Sequence, residues 1–171
     1  MRNVYCASLV FLFFTFGSFV RAVQAQDHSS LVVQGSVGAR DYWLESFCGG
    51  GPQNSFGGSI HYYLTQRTSV GGEFLGFSQC KQLFTYYAPK MSGMAQIAHD
   101  FSGGRVRPYV IGGVGFINHA SQYVPAQTKL DAAAGGGAKF FVTKRIYFGP
   151  EAQFAVDGTI RGSINVGFFL R

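Results

Sequence analysis

The sequence predicts an all-β fold: an eight-stranded antiparallel up-and-down transmembrane β-barrel. Three observations carry this expectation. The 171-residue chain is 16% aromatic and 13% charged and holds 24 glycines, whereas soluble domains carry about 25% charged residues, so a solvent other than water faces much of the surface. Beyond Ala25 no apolar run approaches the roughly 18 residues of a spanning helix, which leaves the closed barrel as the way to pair every backbone group inside a bilayer. Finally, eight segments alternate apolar and polar side chains with the period of two that sends successive residues to opposite faces.

Taken in order, residues 1–25 read as a signal peptide. Arg2 precedes the apolar run ASLVFLFFTFGSFV, and Val23-Gln24-Ala25 supplies small residues at alternate positions before Gln26. Residues 26–171 form one barrel domain. In LVVQGSVGAR, Leu31, Val33, Gly35, Val37 and Ala39 oppose Gln34, Ser36 and Arg40. FGGSIHYYL sets Phe56, Ile60, Tyr62 and Leu64 against Ser59, His61 and Tyr63, and SVGGEFLG sets Val70 and Phe74 against Ser69 and Glu73. MSGMAQIAH opposes Met91, Ala95 and Ile97 to Ser92 and Gln96. RPYVIGGVGF opposes Val110, Val114 and Phe116 to Arg107 and Tyr109, with Ile111 breaking the rule. KLDAAAGGGAKFF places Leu130, three alanines and Phe140 opposite Asp131 and Lys139. IYFGPEAQFAV places Ile146, Phe148, Ala152, Phe154 and Val156 opposite Glu151 and Gln153, and GSINVGFFLR places Ile164, Val166, Phe168 and Leu170 opposite Ser163, Asn165 and Arg171.

Connections alternate in length. TQRT (65–68), DFSGG (100–104) and TKR (143–145) are short; residues 41–55, 78–88 and 118–128 are long, as in a meander with turns on one rim and loops on the other. The last connection carries the Asp157-Gly158 signal of a tight hairpin. Facing positions there must sum to an even number, and pairing 156 with 160 leaves a three-residue turn. The glycines and Pro108 of RPYVIGGVGF, poor strand formers, are acceptable if Gly112, Gly113 and Gly115 permit curvature and Pro108 lies near the starting rim.

VRPYVIGGVGF, followed by a loop and AAAGGGAKFFVTKRIYFGPEAQF, resembles the fifth to seventh strands of the small eight-stranded outer-membrane barrel domain, the OmpA/OmpX-like group of Gram-negative bacteria. The likeness is strongest over residues 105–171. It implies a non-enzymatic outer-membrane protein with a structural or surface-interaction role. It also implies a monomer in contact with membrane lipid and lipopolysaccharide, inserted by the outer-membrane assembly machinery and needing no cofactor. The chain departs from the group in ending Phe168-Phe169-Leu170-Arg171 rather than on an aromatic residue.

Charge narrows the alternatives. Outside the leader the basic excess is four, without the Lys/Arg cluster that a nucleic-acid surface needs. The four histidines, at 28, 61, 99 and 119, are dispersed, so no zinc spacing exists. Arg107 and Lys139, about three residues in from the short-turn rim, and Glu73 and Glu151, about five in, form a candidate lumen cluster. Two cations and two carboxylates there would pair, since a buried charge left alone costs about 3–5 kcal/mol. A structural plug is expected over a gate, because eight strands leave an interior that side chains fill.

Cys48 and Cys80 fall in the first two long connections, with 31 residues between them, and a disulfide is expected on the external rim. His119 and Ser121, two apart, raise an enzymatic alternative resembling the outer-membrane lipid A deacylases, with Asp131 as the nearby acid; a polar rim loop is the simpler reading. A soluble lipid-binding barrel would need its apolar face inward, and the scarcity of charge argues against it. Tyr42, Trp43, Tyr62, Phe84, Tyr86, Tyr87, Phe148 and Phe168 fall near strand ends, as interfacial girdles do.

Overall fold

The computed structural model describes residues 30–42, 52–78, 88–120 and 126–170. The leader, both loop cysteines (Cys48 and Cys80), Ser121, Trp43, Phe84, Tyr86, Tyr87 and Arg171 lie outside the described residues. Eight strands follow in chain order: β1 (Leu31–Tyr42), β2 (Gln53–Tyr63), β3 (Thr68–Phe77), β4 (Ala88–Asp100), β5 (Val106–Ala120), β6 (Gln127–Phe141), β7 (Ile146–Ala155) and β8 (Thr159–Leu170). Each pairs antiparallel with the next, and β8 pairs with β1 from Leu31↔Leu170 to Tyr42↔Thr159, closing the barrel. No backbone edge is left to face lipid, which is the condition for β-structure in hydrocarbon.

The two-residue period runs through the body of the strands and is interrupted on β4, where the register shifts between Pro89 and Met91, and on β6, where Ala138 and Lys139 are both buried. Outward positions are apolar and exposed, with Val37 at 63%, Val114 at 66% and Phe154 at 54%. Inward positions such as Gln34, Ser59, Glu73, Gln96, Arg161 and Asn165 are buried. A soluble barrel would show the opposite distribution. Ile111, the apolar exception on the polar face, points inward and packs with Ala98 and Tyr109. Tyr62, Phe148 and Phe168 stand outward near the short-turn rim, as girdle residues should. Pro108 is the third residue of β5, close to that rim.

Several boundaries differ from the sequence reading: β1 runs on to Tyr42, β2 begins at Gln53 and Asp100 belongs to β4. The β5–β6 hairpin stays paired as far as His119↔Gln127, so Asn118 and His119 belong to a strand rather than to the long connection. The final hairpin pairs Phe154 with Ile160, not Val156 with Ile160. The parity is as expected, but the register is displaced by two residues because Val156 donates its N–H to Ala132 on β6 (2.9 Å). Gly158 closes the turn with a hydrogen bond to Ala155 (3.0 Å) at φ of 82°, where a side chain would be strained. The Asp157 carboxylate then caps the start of β8 through Thr159 N (3.1 Å) and Thr159 Oγ1 (2.6 Å).

The abundance of glycine has a steric cause. Inside the lumen, Tyr147 lies opposite Gly167 and Tyr109 opposite Gly137. A Cβ on Gly167 would come within 2.3 Å of the Tyr147 ring, and one on Gly137 within 2.8 Å of the Tyr109 hydroxyl. Outside, Phe116 covers Gly93 in the same manner. Each large ring lies flat across its neighbour strand only because that neighbour has no side chain.

Two outcomes follow from this architecture. Gly167→Ala should destabilise the barrel by about 1–3 kcal/mol through overpacking. Most of that loss should vanish in a Tyr147→Leu background, read as non-additivity in urea unfolding from lipid vesicles. Val110→Arg or Val166→Arg should cost about 2–4 kcal/mol near the bilayer midplane, while Val166→Ile stays close to the parent in the same assay.

Candidate functional site: the charged lumen

Inward-facing polar residues from all eight strands gather into three tiers. At the short-turn end an apolar floor of Val32, Tyr63, Tyr147 and Phe169, with Phe141 against it, closes the lumen. Just above, Lys139 Nζ on β6 donates to Asp100 Oδ1 (2.7 Å) and to the Tyr63 hydroxyl (2.8 Å). Tyr63 in turn donates to Asp100 Oδ2 (2.8 Å), which completes a three-membered ring of charge-assisted bonds. The Lys139 ammonium also lies 4.8 Å from the Tyr109 ring centroid. Arg107 stacks its guanidinium over Phe141 at 4.4 Å and donates to Gly104 O in the adjacent turn (3.2 Å).

The middle tier centres on Arg161 of β8. Its Nη2 donates at 2.8 Å to both Glu73 Oε1 on β3 and Glu151 Oε1 on β7. The remaining carboxylate oxygens are also satisfied: Gln96 Nε2 donates to Glu73 Oε2 (2.9 Å) and the Tyr109 hydroxyl to Glu151 Oε2 (2.6 Å). Gln153 Nε2 adds a further donor to Glu151 Oε1 (2.9 Å). β3 and β8 are not neighbours in the sheet, so Arg161 ties the two sides of the barrel across its interior.

The upper tier, at the long-loop end, is built on Arg40 of β1. Its Nη2 reaches Asp157 Oδ2 (2.7 Å) and lies 3.5 Å from Asp131 Oδ2, while Nε donates to Thr159 Oγ1 (2.8 Å). Among the described residues the buried charges are Arg40, Arg107, Lys139 and Arg161 against Glu73, Asp100, Asp131 and Glu151, four of each sign. Two small cavities lie between the tiers, of about 20 Å³ beside Arg161 and Arg40 and about 10 Å³ beside Lys139 and His61. Each is on the scale of a single water, which needs about 10–15 Å³.

All four residues expected in the lumen are there, but with different partners. Glu73 and Glu151 meet through Arg161, which the sequence reading had not placed in the cluster. Lys139 pairs with Asp100, assigned from sequence to a turn, rather than with either glutamate. Arg107 contacts the short turn and Phe141. Counting residues from the rim gives depth along a strand but not position around the circumference, and Arg107 and Lys139, directly paired across β5–β6, lie one tier below the glutamates. The signal that finds the missing residues is parity. Arg161 shares its face with Ser163 and Asn165, and Asp100 with Ser92 and Gln96.

His119 faces the lumen and is buried, whereas its suggested partner Ser121 lies outside the described residues. Asp131 does not serve His119 as an orienting acid. It sits four residues along β6 from Gln127, the cross-strand partner of His119, a separation of about 13 Å, and it faces Arg40 instead. Chemically the lumen is a set of ion pairs that brace the wall, with Arg161 Nε and Asp131 Oδ2 left without a hydrogen bond.

Arg161→Ala should cost about 3–5 kcal/mol, since it leaves Glu73 and Glu151 buried together without their cation. Adding Glu73→Gln should recover part of that loss, so the double-mutant cycle in urea unfolding should show clear coupling.

No protein-family model matches the sequence, and no curated protein matches it. Solved structures do. The N-terminal β-barrel domain of Pseudomonas aeruginosa OprF superposes with a TM-score of 0.65 at 19% identity, covering 86% of this chain and 100% of that one. Neisserial surface protein A (NspA) superposes with a TM-score of 0.59 at 12% identity over 86% of this chain and 99% of that one. Ail, the attachment invasion locus protein of Yersinia pestis, gives 0.53 at 14% identity over 85% and 100%. A de novo designed transmembrane β-barrel also matches, with a TM-score of 0.55 at 14% identity. The chain therefore has the closed, eight-stranded antiparallel fold shared by these small outer-membrane barrels.

Proposed function

We propose that this chain is a non-enzymatic barrel of the Gram-negative outer membrane, exported with residues 1–25 removed. Its body is a rigid, plugged span, and its long loops make contacts outside the cell. The observation that carries this reading is the distribution of charge across the wall. The outward positions between the rims are apolar and exposed, and eight buried charges of balanced sign fill the inside. Such an object is stable where lipid is outside and side chains alone are inside. The tiers of ion pairs support a structural lumen over a channel. Ail is an attachment invasion locus protein and has been crystallised with the heparin analogue sucrose octasulfate, which makes surface contact a natural task for loops on this scaffold. A disulfide between Cys48 and Cys80 would join the first two of those loops. The separation of His119 from Asp131 argues against the pairing that the deacylase alternative suggests.

The test is electrophoresis of isolated outer membranes with and without boiling. The folded barrel should migrate differently until heated, and lipid A acylation should be the same with and without the gene. Recovery of the chain in the soluble periplasmic fraction would contradict the proposal. Digestion of the unreduced protein should yield one peptide pair joined through Cys48 and Cys80; alkylation of both thiols without reduction would remove the bridge.

A further inference from the structure

Among the described residues ten basic side chains stand against six acidic ones, and this excess of four is not dispersed in space. The buried lumen charges cancel, four against four. Toward the long-loop end, Asp41 and Asp157 accompany Lys90 and Lys129. Among the described residues this leaves the short-turn rim, where Arg67, Arg105, Lys144 and Arg145 are all exposed and no acidic residue of the turns accompanies them.

These cations sit in a repeated structure. The backbone carbonyl of each turn arginine extends the ladder of the next strand: Asp100 N donates to Arg67 O (2.7 Å), Phe141 N to Arg105 O (2.8 Å) and Phe169 N to Arg145 O (2.8 Å). In two of the turns a threonine hydroxyl locks the same geometry. Thr65 Oγ1 accepts from Arg67 N (3.2 Å) and Thr68 N (3.0 Å), and Thr143 Oγ1 accepts from Arg145 N (3.2 Å) and Ile146 N (3.1 Å). Each turn also begins with an exposed apolar residue: Leu64 at 56%, Phe101 at 56% and Val142 at 67%. Three times around the circumference, an apolar side chain at the hydrocarbon edge is followed within four residues by a backbone-anchored arginine.

We propose that this rim is a ring of binding positions for anionic phospholipid, with Leu64, Phe101 and Val142 resting at the acyl boundary and Arg67, Arg105, Lys144 and Arg145 on the headgroup phosphates. The inference rests on the membrane reading above and adds the lipid class that the rim selects. A cation close to an anionic lipid surface gains about fivefold in association, and exposed pairs of this kind are weakened by salt.

The experiment uses the full barrel refolded into phosphatidylcholine vesicles. Trp43→Phe with Tyr62→Trp places a lone tryptophan outward beside the rim, and traces of tail-brominated phosphatidylglycerol or tail-brominated phosphatidylcholine quench it. At equal fractions the anionic lipid should quench at least about threefold more effectively. High salt should reduce that preference, and Arg67→Gln, Arg105→Gln, Lys144→Gln and Arg145→Gln together should abolish it. A control tryptophan at Phe116, toward the long-loop rim, should show no preference. Equal quenching at position 62 by both lipids in a barrel that floats with the vesicles overturns the inference alone; failure to float overturns the membrane reading with it. Loss of sacculus co-sedimentation in the fourfold variant, with quenching unchanged by it, would reassign the ring to peptidoglycan and also overturn the inference.

Discussion

Hydrocarbon offers no partner to a backbone N–H or C=O, so the pairing of β8 with β1 is the interaction on which everything else in this molecule depends. Closing the ladder with eight strands leaves an interior narrow enough for side chains from opposite walls to touch. Two consequences follow directly. Large rings must be matched by absent side chains, as Tyr147 is by Gly167. Charges must be matched by charges, because a lone ion in that space is far too costly.

The ion pairs themselves add modest stability compared with a well-packed apolar filling. Their effect is greater on which barrel forms. A slip of β8 by two residues would preserve every inward and outward assignment, so hydrophobicity alone does not oppose it. It would, however, move Arg161 by about 7 Å along the barrel, away from Glu73 and Glu151 together. Lys139 with Asp100, and Arg40 with Asp157, fix the circumference in the same way at two other heights. With the buried charges of the described residues cancelled, the exposed cations on the short turns are Arg67, Arg105, Lys144 and Arg145.

Most of the wall was legible in the sequence, since alternation is a local property and survives without knowledge of partners. Strand count, the inward face of Glu73, Arg107, Lys139 and Glu151, and the positions of the short turns all follow from it. What alternation cannot encode is which strand lies across the lumen from which, because this depends on closure and stagger. Hence the parity of Arg161 marks it as inward, but nothing local marks it as the partner of a glutamate on β3, which is not its neighbour in the sheet. Asp100 was hidden differently: its neighbours Ser102, Gly103 and Gly104 read as a turn, yet its N–H pairs with Arg67 and keeps it in the ladder. The final hairpin misled in register because Val156 pairs with β6, a contact beyond the hairpin's own sequence.

The central claim is that the apolar residues of this barrel divide into a lipid-facing set and a lumen set by parity alone. Methyl NMR of the folded protein in nanodiscs, with and without a spin label on the lipid tails, tests it without any mutation. The methyls of Val33, Ile60, Ile97, Val114, Ile164 and Val166 should broaden strongly, and those of Val32, Leu75, Ile111 and Ile117 should remain sharp. Equal broadening of both groups, or broadening of the second alone, would contradict the account.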